Sequence, residues 1–540
     1  MLPPRADTVF TGGKFITMEE DAPIAQAVAV GGGRFLSVGS LEEAMKYAVE
    51  GTEIVDLGGK TVIPGLIESH AHPCYYGDQC ATINLSGEAT SSKENVLKKV
   101  AAAAAKTPKG TWLFGWGWDE AKFKEGALPV TAADLDTVSP NNPVFIKRTC
   151  GHVGAVNTLA MRLCGITADA VPPVGGKIFK DDKGEPTGVI SGAVQHWIPF
   201  PKPTDEQIME LIATDIQDEI FRKGITTTTE MAAEARFVRI YQQLQKQGRL
   251  KMRIRFYTFA RSNVNCPATL AETVKVGLMS GFGNDTLRFA GMKYLLDGST
   301  GGKTAAFSVP YVGEPDNFGT LYNDQGELCA DMLLTAQGGM QASLHAIGDV
   351  AIEQALKGVE YCLAHGVDVA PLRFRFEHVE SPTVDQIERM KKYGILVGTS
   401  AGFIYALGDS HYNVMGPERV QWAFPNKEYV DRGMVFACNN DCPVCDINPM
   451  LGIYSMVCRK TQGGKSFGTA QHIDRMQALK AYTVNAAKML FDEDIAGSMK
   501  AGKYADMVVL NQDYLAVPDE DLGKITVDTT YLAGEAVYKA

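Results

Sequence analysis

Val62-Ile63-Pro64-Gly65-Leu66-Ile67-Glu68-Ser69-His70-Ala71-His72-Pro73 reads as a buried apolar strand that opens into a loop. Strand side chains alternate faces, so histidines at i and i+2 project the same way, close enough to share one metal ion. An idle polar pair directly after such an apolar run would be costly to bury. Two convergent imidazoles at a strand's C-terminal end are what a metal site at the mouth of a parallel barrel requires.

Four further segments repeat the design, an apolar strand ending in a metal-capable or proton-carrying side chain. Met340 to Asp349 places His345 on one face with Gln341 and Ser343, and turns Met340, Ala342 and Leu344 toward surrounding helices. Phe374-Arg375-Phe376-Glu377-His378 ends in His378, and Met434 to Asp441 ends in Asp441. Gly291 to Gly298 sets Lys293 inward ahead of a Gly-rich loop. A lysine inside a barrel is expensive unless it is neutralised, paired or modified.

Outward from these segments, the middle of the chain alternates helical and strand-like patterns, as in a parallel α/β architecture. Both ends are β-rich: Thr8-Val9-Phe10, Ala27-Val28-Ala29-Val30 and Arg34 to Val38 at one, Ala505 to Leu510 and Thr526 to Tyr538 at the other. The expected organisation is a discontinuous β-sandwich domain of residues 1–62 and 495–540 around a barrel of residues 63–494. A Trp-, Pro- and Gly-rich stretch at about 80–200, with a hairpin turning at Lys183-Gly184, interrupts the alternation and reads as an insertion beside the active-site mouth.

The 540 residues carry a net charge of −11, which argues against nucleic acid or an anionic membrane as partner. No apolar run reaches bilayer length and no secretory signal opens the chain, so a cytoplasmic location is expected. The odd count of 11 scattered cysteines fits reduced thiols. A small-molecule substrate is the default, and a homodimer is compatible with a barrel of this size.

With these residues in place, the chain resembles the amidohydrolase superfamily, in particular the long-chain group that contains N-substituted formamide deformylase. The likeness extends through Gly115-Trp116-Gly117-Trp118-Asp119, Leu296-Asp297-Gly298-Ser299, His345 to Asp349, Glu377-His378, Ala481 to Ala487 and Gly502 to Asp506. Asn440 departs from it, standing where relatives usually carry Ser, as does the Cys442-Pro443-Val444-Cys445 pair. The resemblance implies a distorted (β/α)8 TIM barrel with the smaller β-sandwich. It implies metal ligands His70 and His72 on strand one, a carbon-dioxide-carboxylated Lys293 on strand four, His345 and His378 on strands five and six, and Asp441 on strand eight. The implied cofactor is one or two divalent ions, zinc foremost. The implied reaction is hydrolysis of a non-peptide carbon–nitrogen bond in an N-formyl or N-acyl compound by metal-activated water, with Asp441 as the catalytic proton carrier.

Trp116, Trp118, Asp119, Arg148 and His152 match positions near the substrate in that group. The tryptophans are expected to wall an apolar group, and Arg148 or His152 to meet a polar end. Asp297 and Asp349 are placed to orient Lys293 and His345; Glu230 is a weaker inward candidate, and His196, His365, His411 and His472 read as packing or surface residues. Gly298 to Thr304 imitates a phosphate-binding loop with one residue too few, and Cys442 to Cys445 lacks a redox setting. The same barrel and metal also serve deaminases, esterases or lactonases, and decarboxylases. A non-catalytic scaffold is disfavoured because every ligand is retained.

Overall fold

Eight parallel strands run in chain order around a barrel: β1 (Leu66–Glu68), β2 (Ile225–Glu230), β3 (Arg253–Phe259), β4 (Leu287–Leu295), β5 (Gln341–Ala346), β6 (Arg375–His378), β7 (Leu396–Thr399) and β8 (Phe436–Cys438). The computed structural model describes residues 5–540 except 81, 87–90, 121–122, 127, 150, 174, 200–202 and 263–266, and omits the side chains of 78–80. Strands alternate with helices such as Ala235–Lys246, Gln325–Gln337, Asp349–Ala364 and Gly402–Met415. Outward-facing Met292, Tyr294, Ala342, Leu344, Phe376 and Val397 are buried against that helical ring, which supplies most of the driving force for the fold.

The opening apolar run is two strands rather than one. Thr61–Pro64 pairs with Met507–Leu510 in the terminal β-domain, and β1 begins only after Gly65. A side chain at Gly65 would fall 2.4 Å from Thr226 Oγ1 and 2.8 Å from Asp506 Cβ, so only glycine lets the chain pass between the two domains. His70 and His72 accordingly lie past the strand end, their rings 5.5 Å apart.

β8 and β1 complete a nearly closed barrel through single bonds: Ser69 Oγ to the Cys438 carbonyl at 3.1 Å, and Asn440 N–H to Glu68 Oε1 at 3.2 Å. Both chain ends meet in two sheets, one of four strands from the N-terminal segment and one of six strands containing Lys14–Ile16, Thr61–Pro64, Met507–Leu510, Val527–Leu532 and Glu535–Lys539. Buried ion pairs Arg253–Asp506 and Arg255–Asp492 tie the C-terminal segment to β3.

The insertion carries a six-stranded sheet of its own, and its hairpin Gly176–Lys180 with Pro186–Gly192 forms around the expected turn. Among the described residues no helix is long and apolar enough to cross a membrane.

Candidate metal centre

Six side chains predicted from five strands converge at the C-terminal mouth of the barrel. Lys293 rises from the interior of β4, only 2 % exposed, with Nζ 3.3 Å from His70 Nε2. Asp441, three residues beyond Cys438 at the end of β8, brings Oδ1 to 3.2 Å from His72 Nε2 and 3.6 Å from His70 Nε2. The His378 ring centroid lies 4.9 Å from that of His70 and 4.4 Å from that of His345. One ligand atom each from His70, His378 and Asp441 falls within 4.8 Å of the other two. His378 and Asp441 hold left-handed backbone, φ 70° and 52°, a cost that persists at sites where surrounding structure dictates side-chain direction.

Hydrogen bonds decide which nitrogen of each imidazole faces the centre. Glu377 Oε2 accepts His70 Nδ1–H at 2.8 Å, which leaves Nε2 with a lone pair. Ser400 Oγ donates to Asn439 Oδ1 at 2.7 Å and so accepts from His378 Nδ1–H at 2.7 Å; His378 Nε2 is then a buried acceptor with no partner. His345 Nε2–H donates to the Gly298 carbonyl at 2.9 Å, turning Nδ1 inward. His72 Nδ1 and Asp441 Oδ1 are likewise buried without a hydrogen bond. Burial first, and neighbouring cationic groups second, hold His70, His345 and His378 well below the usual histidine pKa. Inward-turned neutral imidazoles, the partnerless His378 Nε2 and the facing Asp441 carboxylate form a donor set that fits a divalent metal of the zinc type.

Burial drags Lys293 down to about 8, against the pull of the Glu377 and Asp441 carboxylates. Glu377 also accepts from Arg375 and from Ser343 Oγ at 2.8 Å. Burial pushes its carboxyl up, but Arg375 and Lys293 more than offset this and keep it below the ordinary glutamate value. Gly398 on β7 makes the room, since a Cβ there would sit 2.2 Å from Glu377 Oε2. Sequence reasoning gave Glu377 no role; its place beside His378 in Glu377-His378 was the available signal.

Of the predicted orienting groups, Asp297 sits 3.5 Å from His345 Nε2 and accepts from Ala306, Ile347 and Gly348 N–H. Asp349 instead accepts the Ser308 N–H and starts the following helix. Glu230 is fully buried, with Oε1 3.9 Å from His72 Nδ1, and accepts from Cys74 N–H and Tyr241 O–H at 2.9 Å each. The Gly298 to Thr304 loop folds on itself through Thr304 N–H to the Ser299 carbonyl at 3.0 Å and serves His345. Cys442 and Cys445 are buried, and the Cys442 carbonyl accepts His72 N–H at 2.8 Å.

The predicted substrate residues separate into two groups. Arg148 and His152 line the cavity above the ligands, together with Thr300, Ile347, Phe403, Leu407, Ser410, His411 and Val444. Trp118 is wholly buried in the insertion's core with Leu85, Val96 and Leu135. Trp116 lies beside Gly151 and under Lys147, whose Nζ is 5.1 Å from its ring. Asp119 faces Arg148 Nη2 at 2.7 Å, and Glu120 faces Arg148 Nε at 2.9 Å. His411, read from sequence as a packing residue, lies in the cavity wall.

The profile of the amidohydrolase family matches residues 53–538. The chain is 30% identical to the protein LONG AFTER FAR-RED 3 of Arabidopsis thaliana, over 99% of this chain and 92% of that one. It is 25% identical to N-substituted formamide deformylase of Arthrobacter pascens, over 97% and 96%. Among solved structures, an uncharacterised metal-dependent hydrolase from Pyrococcus horikoshii OT3 superposes with a TM-score of 0.74 at 26% identity, covering 95% of this chain and 99% of that one.

Proposed function

This chain belongs to the amidohydrolase family and is a metal-dependent hydrolase; we propose that the bond it cleaves is a non-peptide carbon–nitrogen bond, that of an N-formyl or N-acyl amine. The observation that carries the carbon–nitrogen class is the likeness to N-substituted formamide deformylase along 97% of the chain, with a full set of ligand residues at the barrel mouth.

His70, His72, His345, His378 and Asp441 would hold the ion, a carboxylated Lys293 would supply oxygen ligands for a second one, and zinc is the ion proposed. A divalent ion there would supply Lewis-acid polarisation of the carbonyl and lower the pKa of its water from ~16 toward ~7. The Asp441 carboxylate takes the proton of the attacking water and returns it to the departing amine, a general acid–base step worth roughly 10²–10⁴-fold. Glu377 and Ser400 keep His70 and His378 in the tautomers that present Nε2. Phe403, Leu407, Ile347 and Val444 give the cavity an apolar wall.

The test is a panel of N-formyl and N-acyl amines, amino-heterocycles, lactones and carboxylic acids, read for formate or acid, ammonia, ring opening and carbon dioxide. Release of formate or acid with stoichiometric amine is the expected result; ammonia or carbon dioxide alone contradicts the assignment.

A further inference from the structure

A second polar cluster stands in the cavity wall, outside the ligand set. His411 on the helix Gly402–Met415 is 3 % exposed, and its Nδ1 lies 2.8 Å from Glu380 Oε1. Glu380 is fully buried two residues past His378, and its other oxygen accepts the Thr300 hydroxyl from the loop after β4. The connections after β4 and β6 therefore lock in place an imidazole carried on the helix after β7. The bond through Nδ1 leaves Nε2 for the cavity that His411 lines with His345, His378 and Asp441. Phe403 separates this imidazole from the ligands, stacking on His378 at 5.8 Å and meeting His411 edge-on at 6.3 Å. His411 thus lies one aromatic ring away from the reacting centre.

Charge narrows what this wall accepts. Arg148, the expected partner of a polar end, is already committed to Asp119, Glu120 and Ser410. Asp119 and Glu120 thereby neutralise the guanidinium that lines the cavity, so it offers little to an anionic ligand end.

We infer that His411, held by Glu380 and Thr300, is the subsite for a hydrogen-bonding group at the end of the substrate remote from the scissile bond, in a neutral or cationic molecule with an aromatic or apolar body. A hydroxyl suits it, because Nε2 accepts its proton while the body packs on Phe403 and Leu407. The orientation of that body rests on the carbon–nitrogen reading; the pocket chemistry does not.

The test is calorimetric titration of the full-length, metal-loaded protein with tyramine, phenethylamine and 4-(2-aminoethyl)benzoate, which puts an anion where tyramine has its hydroxyl. Tyramine is expected to bind about 10-fold more tightly than phenethylamine, consistent with one good hydrogen bond, and more tightly than the benzoate. His411→Phe brings the amine ratio close to one, and Thr300→Val, a milder change that guards against misfolding, lowers it partway. No tyramine binding, a wild-type ratio near one, a ratio unchanged in His411→Phe, or preference for the benzoate would each overturn the inference. Parallel hydrolysis assays on the N-formyl derivatives of both amines separate the two claims. A binding ratio without hydrolysis leaves the subsite standing and removes the carbon–nitrogen reading, while hydrolysis without the ratio does the reverse.

Discussion

Glu377 Oε2 lies 2.8 Å from His70 Nδ1, at the hub of a buried network with Arg375, Ser343 and, through His70, Lys293. A carboxylate behind a ligating imidazole fixes its tautomer and raises its basicity. Glu377→Gln is expected to weaken metal binding ~10–100-fold, measured by chelator competition. It also strips the fully buried Arg375 of its counter-charge, which should cost about 3–5 kcal/mol of stability by denaturant titration. Undiminished metal affinity would mean that His70 is oriented by other contacts.

Asp441 carries the proton in this account. Asp441→Asn should lower kcat by about 10²–10⁴-fold while metal content stays near the wild-type value. Turnover within a few-fold of wild type would remove Asp441 from the catalytic step.

Lys293 decides between one ion and two. Its ammonium has a neighbouring imidazole at 3.3 Å and buried carboxylates as its offset. Lys293→Ala should bind about one equivalent of metal where the wild type, grown with bicarbonate, binds about two. A variant that keeps the full complement and its activity contradicts the ligand role of a carboxylated Lys293.

Trp118 has no exposed surface, so truncation should act through stability rather than substrate affinity. Trp118→Ala is expected to cost about 3–5 kcal/mol, read as a lower unfolding midpoint, with KM little changed. A KM increase of ten-fold or more in still-folded protein would return the residue to the substrate wall.

The residues proposed as ligands were legible because each stands at or just past the end of an apolar strand, or, for Lys293, inside one, and a barrel's own geometry brings those strand ends together. β4, β5, β6 and β8 all begin and end within a few residues of the segments read from sequence. The run from Val62 was misjudged as one strand because the switch of partner sheet at Gly65 is a tertiary event without a local signature. Glu377, Ser400, Glu380 and His411 act through neighbours tens to hundreds of residues away, and no periodicity marks such pairs. The tryptophans show the opposite failure: an aromatic residue in an insertion gives no local sign of which side it packs on, and Trp118 packs inward.

Elemental analysis of the purified, dialysed protein, expressed with zinc and bicarbonate, tests the central claim most directly. One or two equivalents of divalent metal per chain is the predicted result, two if Lys293 is carboxylated. Well-folded protein without metal would contradict the account, because the orphaned His378 Nε2 and Asp441 Oδ1 would then have no ion to answer them.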